Sequence, residues 1–189
     1  MRIAKSFTKH VFCLEGDWEK DLRKKSSIGA ALDFLQANCN IQYIHKHCGT
    51  KENLEYYLSR WKQKRYKEYS ICYLAFHGHP EIIEVGNEHV DLKELADMLN
   101  GACVNKIIHF GSCNTLDTDV SKVREFLETT QALAVCGFRT DIDFLESSVF
   151  DMLLMQKFQE YRDIKAVDRD LKKNYKKLIQ KLEFKLLFN

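Results

Sequence analysis

Proline is almost absent: Pro80 is the single one in 189 residues. Helices and strands are therefore expected to run with few forced breaks. No stretch of 18 uninterrupted apolar residues occurs, so no helix is expected to span a membrane. The basic start, MRIAKSFTKHVFCLEGDW, has an apolar run too short for a secretory segment. Net charge is also small, +2 from 29 Lys and Arg against 27 Asp and Glu, so bulk charge names no nucleic-acid or membrane partner. Internal repeats, linkers and low-complexity stretches are missing too. Cysteine is plentiful, but a disulfide pattern is lacking: Cys13, Cys39, Cys48, Cys72, Cys103, Cys113 and Cys136 are odd in number and show no tight repeated spacing. They read as reduced thiols in a cytoplasm.

What is present is an ordinary soluble composition, 45% apolar and 30% charged, on a chain long enough for one domain with a sizeable core. HVFCLEG (10–16), IQYIHKHC (41–48), YSICYLAFHG (69–78), KIIHFGSC (106–113) and QALAVCGF (131–138) read as strands. EIIEVGNEHVDL (81–92) reads as a hairpin turning at Gly86-Asn87. Helical spacing covers 25–38, a segment capped by Thr50, a segment begun by Asp91, and 118–130, 143–160 and 166–187. Strands alternating with amphipathic helices predict a three-layer α/β domain with a mainly parallel central sheet. The core is expected over about 8–160, with 161–189 as a C-terminal helical extension.

In such folds, chemistry gathers at the carboxyl ends of the strands, near the point where strand order reverses. Two strand ends stand out there, His77-Gly78 and Ser112-Cys113. Their strands follow one another through a crossover, so they are expected to be neighbours, with His77 and Cys113 at one rim. A thiol needs a base or cation beside it to react as thiolate at neutral pH, and imidazole supplies one. The backbone N–H groups of Gly78 and Cys113 are the candidate oxyanion donors. Taken by itself, Cys113 also reads as one more buried structural thiol.

AFHGHP, a short hairpin, a helix and then KIIHFGSCNT resemble the caspase-like cysteine peptidases of clan CD, most of all the CHAT and bacterial caspase-like branch. The segment QALAVCGFRTDIDFLESSVFDMLLMQKF is similar to the family as well: a glycine-ended strand, an acidic turn and a helix. The resemblance covers roughly residues 8–160. It implies a Cys-His dyad of Cys113 and His77, the Gly78 and Cys113 amides as oxyanion hole, and amide hydrolysis through an acyl-enzyme. No metal or cofactor is implied. Glu15, Asp17, Asp141 and Asp143 border the same rim, and in this clan acids there imply cleavage after Lys or Arg. The chain lacks the Gln-Ala-Cys-Arg-Gly sequence of effector caspases and a long linker after Cys113. Activation by interdomain cleavage is therefore not implied; a partner, a ligand or self-association is. The resemblance further implies a protein or peptide substrate and a bacterial stress, defence or cell-death role.

Rival readings stay open. The same fold can serve as a non-catalytic binding module, or as a hydrolase or transferase of another kind. In HKHC (45–48), His45 and His47 share one strand face while Cys48 points to the other. Zinc needs three or four convergent ligands, of which His47 and His79 at adjacent strand ends could supply two; the competing reading is ordinary strand histidines. RWKQKRYK (60–67) reads as a nucleic-acid patch or as the solvated end of a helix. The end of the chain places Tyr175, Leu178, Ile179, Leu182 and Leu186 on one helical stripe, suited to core packing or to a partner.

Overall fold

The structure, a computed structural model, describes residues 8–21 and 23–188. Six strands form the main sheet in the order β2-β1-β3-β7-β8-β9. They are β1 (Val11–Glu15), β2 (Tyr43–His47), β3 (Ile71–Ala75), β7 (Ile107–Phe110), β8 (Ala134–Phe138) and β9 (Phe184–Phe188). The first five run parallel and β9 runs antiparallel to β8. Three short strands make a separate antiparallel sheet: β4 (His77–His79), β5 (Ile82–Val85) and β6 (Glu88–Asp91). The helices are α1 (Gly29–Cys39), α2 (Lys51–Trp61), α3 (Leu92–Leu99), α4 (Val120–Thr130), α5 (Phe144–Glu160), α6 (Ile164–Asn174) and α7 (Lys176–Lys181).

Strand side chains alternate between two cores. Phe12, Leu14, Cys72, Leu74, Ile108 and Phe110 face a layer built by α2, α3 and α4 through Leu54, Leu58, Leu95, Leu99 and Phe126. Val11, Cys13, Ile71, Tyr73, Ile107 and Cys136 face the opposite layer, where α1, α5 and α6 contribute Leu32, Leu35, Phe150, Leu154, Phe158 and Val167. Burial on both faces explains why VFCLE, ICYLA, IIHF and AVCGF are continuous apolar runs rather than alternating ones. The three-layer α/β arrangement is the one the sequence predicts.

Helix starts follow the capping residues. The Thr50 side chain accepts the Asn53 N–H, and Asp91 with Glu94 forms a reciprocal capping box. The hairpin turn falls at Gly86, whose φ is +63°, and a Cβ there would sit 2.1 Å from the Gly49 carbonyl oxygen. Glycine thus satisfies both the left-handed turn and the close docking of the hairpin tip on the loop before α2.

Three expectations need correction. The hairpin gains a third strand, because β3 ends at Ala75 and His77 opens β4 in the second sheet. The helix expected over 25–38 begins only at Gly29. The helix expected over 166–187 does not exist as one element. α6 stops at Asn174, α7 ends at Lys181, and Glu183, at φ +44°, leads into β9. Phe184, Leu186 and Phe188 pack into one core while Leu187 packs into the other, a period of two that fits a strand. Residues 184–188 therefore complete the main sheet rather than extend beyond it.

Candidate active site

Strand order reverses between β1 and β3: β2 lies on one side of β1, and β3, β7 and β8 lie on the other. The chain leaving β1 and β3 frames a cleft of about 1120 Å³ at this point, with Gly86 and Asn87 of the hairpin tip also in its lining. Asp17, Trp18, His77, Gly78, Glu84, Cys113 and Asp141 are among its walls.

Parallel pairing of β3 with β7, from Ile71↔Ile107 to Leu74↔Phe110, brings the two motif-bearing segments side by side. Beyond the paired residues, Gly78 is pressed against the loop that follows β7. A Cβ at position 78 would lie 2.6 Å from the Cys113 carbonyl oxygen, 2.5 Å from Thr115 Oγ1 and 2.9 Å from Ser112 Cβ. His77-Gly78 and Ser112-Cys113 therefore touch through a glycine that leaves no room for a side chain.

The Cys113 loop is fixed by short polar contacts. Ser112 Oγ and Thr115 Oγ1 are 2.7 Å apart, and Thr115 Oγ1 lies 3.2 Å from the Ile82 carbonyl oxygen of β5. Asn114 sits at φ +55° and donates its backbone N–H to Thr140 O at 3.2 Å. Its Nδ2 donates to Asp141 Oδ1 at 2.5 Å. These bonds tie the loop to the hairpin on one side and to the segment after β8 on the other. Cys113 Sγ accepts the Ile142 N–H at 3.5 Å, and no acceptor among the described residues takes the Cys113 N–H.

The other thiols differ in kind. Burial pushes Cys13 and Cys72 well above the usual thiol range, and raises Cys48 and Cys103 to about 12. Cys136 is fully buried and Cys39 lies on α1. Cys113 is the half-buried thiol in the cleft wall. All seven are free.

His77 is exposed to the cleft, and its Nε2–H donates to the Trp18 carbonyl oxygen at 2.9 Å. A carbonyl only accepts, so Nε2 carries a proton, and in the neutral imidazole the lone pair lies on Nδ1. No hydrogen bond joins His77 to Cys113 among the described residues. The Trp18 ring meets His77 edge-on at 5.3 Å and Phe144 at 5.2 Å.

The four acids expected at the rim divide in two. Asp17 and Asp141 line the cleft. Asp17 Oδ1 pairs with His47 Nε2 at 2.9 Å. Asp141 binds the Asn114 amide and has no cationic partner among the described residues. Glu15 and Asp143 do not face the cleft, which corrects their expected role. Glu15 is 3% exposed, and its carboxylate accepts from Trp18 Nε1, Ser27 Oγ, the Ile28 N–H and His45 Nε2. Asp143 is the N-cap of α5, accepting the Leu145 and Glu146 N–H groups. Glu19, Asp21 and Glu84 join the lining instead, where Lys20 is the one lysine. Among the described residues, no group of three or more His, Cys, Asp or Glu side chains is arranged to hold a metal ion. No described helix is long and apolar enough to cross a membrane.

Sequence reasoning missed Trp18, Ile142 and Glu84. Ile142 acts through its backbone N–H, for which side-chain identity gives no signal, and Trp18 reaches His77 through its carbonyl as well as its ring. Glu84 faces the cleft because of the third hairpin strand, which pairs it with His77 in register.

Residues 8–188 match the model of a protein family described as a family of unknown function (DUF6642), and the chain belongs to that family. A search of curated proteins finds no significant match.

Proposed function

We propose that this member of the family is a cysteine endopeptidase of the caspase-like kind, with Cys113 as nucleophile and His77 as its acid-base partner. The contact of Gly78 with the Cys113 carbonyl carries this reading, because it joins the two motifs at the rim where the strand order reverses. In the proposed reaction His77 Nδ1 takes the proton of the Cys113 thiol once substrate is bound, and the resulting thiolate attacks the scissile carbonyl carbon. The carbonyl oxygen becomes an oxyanion held by the N–H groups of Cys113 and Gly78. Collapse of the tetrahedral species expels the amine, which takes a proton from His77, and leaves a thioester on Cys113. His77 Nδ1 then removes a proton from water as the water attacks the thioester, and the acid product departs with the thiol restored. The resting molecule needs no His77–Cys113 hydrogen bond for this sequence, since the thiol proton moves only once substrate is bound.

The cleft carries five carboxylates, Asp17, Glu19, Asp21, Glu84 and Asp141, against Lys20. Four of them have basic partners within the protein: Asp17 with His47, Glu19 with Lys24, Asp21 with Arg23 and Glu84 with His79. Asp141 is left to meet a cation on the substrate. The proposed substrate is therefore a polypeptide cut after Lys or Arg, in a cytoplasm, with a partner, ligand or self-association as the switch. A fluorogenic peptide panel tests the proposal with wild type, Cys113→Ala, His77→Ala and Asp141→Asn. Cleavage after Lys or Arg, abolished in the first two variants and about tenfold weaker in the third, is expected. Activity that survives both Cys113→Ala and His77→Ala contradicts the mechanism, and cleavage only after Asp contradicts the specificity. The fold also serves a non-catalytic binding module, and peptide binding without turnover in this panel would point there.

A further inference from the structure

We infer that Trp18 is a positioning residue for His77, and that the buried Glu15 carboxylate holds Trp18 in that role. The inference rests on the peptidase reading only for its kinetic consequence. The segment that carries Trp18 leaves β1 without regular structure, so no strand ladder fixes it. What fixes it is the indole: Trp18 Nε1 donates to Glu15 Oε1 at 2.5 Å. From that anchor the residue reaches His77 twice. Its carbonyl oxygen takes the His77 Nε2–H at 2.9 Å, and its ring stands edge-on against the imidazole at an interplanar angle of 73°. One contact sets the tautomer and the other sets the ring plane, which together direct Nδ1.

Glu15 is built for this task. It is the last residue of β1, and its two oxygens gather Ser27 Oγ at 2.6 Å, the Ile28 N–H at 2.7 Å and His45 Nε2 at 2.7 Å besides the indole. Burial raises its carboxyl, but the bonds from His45, Ser27, Trp18 and Ile28 outweigh burial and hold it below the usual glutamate range. A buried carboxylate with each oxygen doubly used is a rigid post. It fixes the far end of Trp18 within three residues of the strand end, at the point where the cleft begins. Phe144, at the start of α5, also meets the indole edge-on at 5.2 Å.

The test reads His77 directly. Full-length protein carrying 15N-labelled histidine is recorded at alkaline pH, where ordinary imidazoles are neutral. The His77 signals are identified by their loss in His77→Ala. Wild type is expected to show the single Nε2–H tautomer. Trp18→Phe keeps the ring and the carbonyl but removes the indole N–H, and is expected to give a mixture of tautomers. Glu15→Gln, which alters the other end of the same bond, is expected to do likewise. Ser27→Ala removes a different bond to Glu15 and is expected to match wild type. On a cleaved peptide, Trp18→Phe is expected to lower kcat about tenfold with KM little changed. A folded Trp18→Phe with the wild-type tautomer overturns the inference. A wild type that cleaves nothing, yet shows these tautomer changes, refutes the peptidase reading and leaves the positioning role standing.

Discussion

Gly78 is where the two halves of the candidate site meet. A single methyl group there would collide with a carbonyl oxygen of the Cys113 loop and with Thr115, neither of which is the loose end of a long side chain. The loop has little freedom to yield, because Thr115 is tied to β5 and Asn114 to the segment after β8. Gly78→Ala is therefore expected to cost about 1–3 kcal/mol of stability through overpacking. It is expected to cost turnover far more, on the order of a hundredfold, by moving the proposed nucleophile Cys113 away from His77 and from the Gly78 N–H. Thermal unfolding and kcat measured on the same preparation separate the two effects. A folded Gly78→Ala with wild-type turnover would show that the contact is packing alone.

Among elements, α5 is attached to the sheet by a polar node inside an apolar core. Asp151 of α5 accepts from Tyr73 of β3 at 2.6 Å and pairs with His109 of β7 at 2.8 Å, while His109 Nδ1 lies 3.3 Å from Cys136 Sγ of β8. Burial opposes a charge on His109, but the Asp151 carboxylate, aided by Cys136, raises it to about 10. The folded value thus lies above the unfolded value of about 6.5. The pair's stabilisation is complete below about pH 6.5 and is lost as pH rises through about 10. Asp151→Asn leaves a buried group without its partner and is expected to cost about 3–5 kcal/mol at pH 6. The gap between wild type and variant, read from denaturant unfolding, is expected to narrow from pH 6.5 towards 10; a constant gap contradicts the assignment. This node had no sequence signature. His109 sits inside IIHF like any strand residue, and nothing local links it to a carboxylate 42 positions later. The end of the chain was misread for a related reason. Tyr175, Leu178, Ile179 and Leu182 keep helical spacing up to the break, and only pairing with β8 turns FKLLF into a strand.

At the scale of the whole molecule, the layer order and the neighbouring of β3 and β7 were legible, because apolar runs and crossovers leave few arrangements. The candidate dyad followed from that order. What was not legible was the direction of individual acids: Glu15 ends β1 and Asp143 lies after β8, but they turn to a buried network and to a helix end. Cys113, alone among the seven thiols, is proposed as a nucleophile activated for peptide chemistry beside His77. Intact-mass and peptide mapping after treatment with a lysine-containing peptidyl acyloxymethyl ketone tests it most directly. One adduct is expected, on Cys113, slowed strongly in His77→Ala and suppressed by a competing basic peptide. An adduct spread over several cysteines, or one on Cys113 that forms equally fast without His77, would contradict the claim.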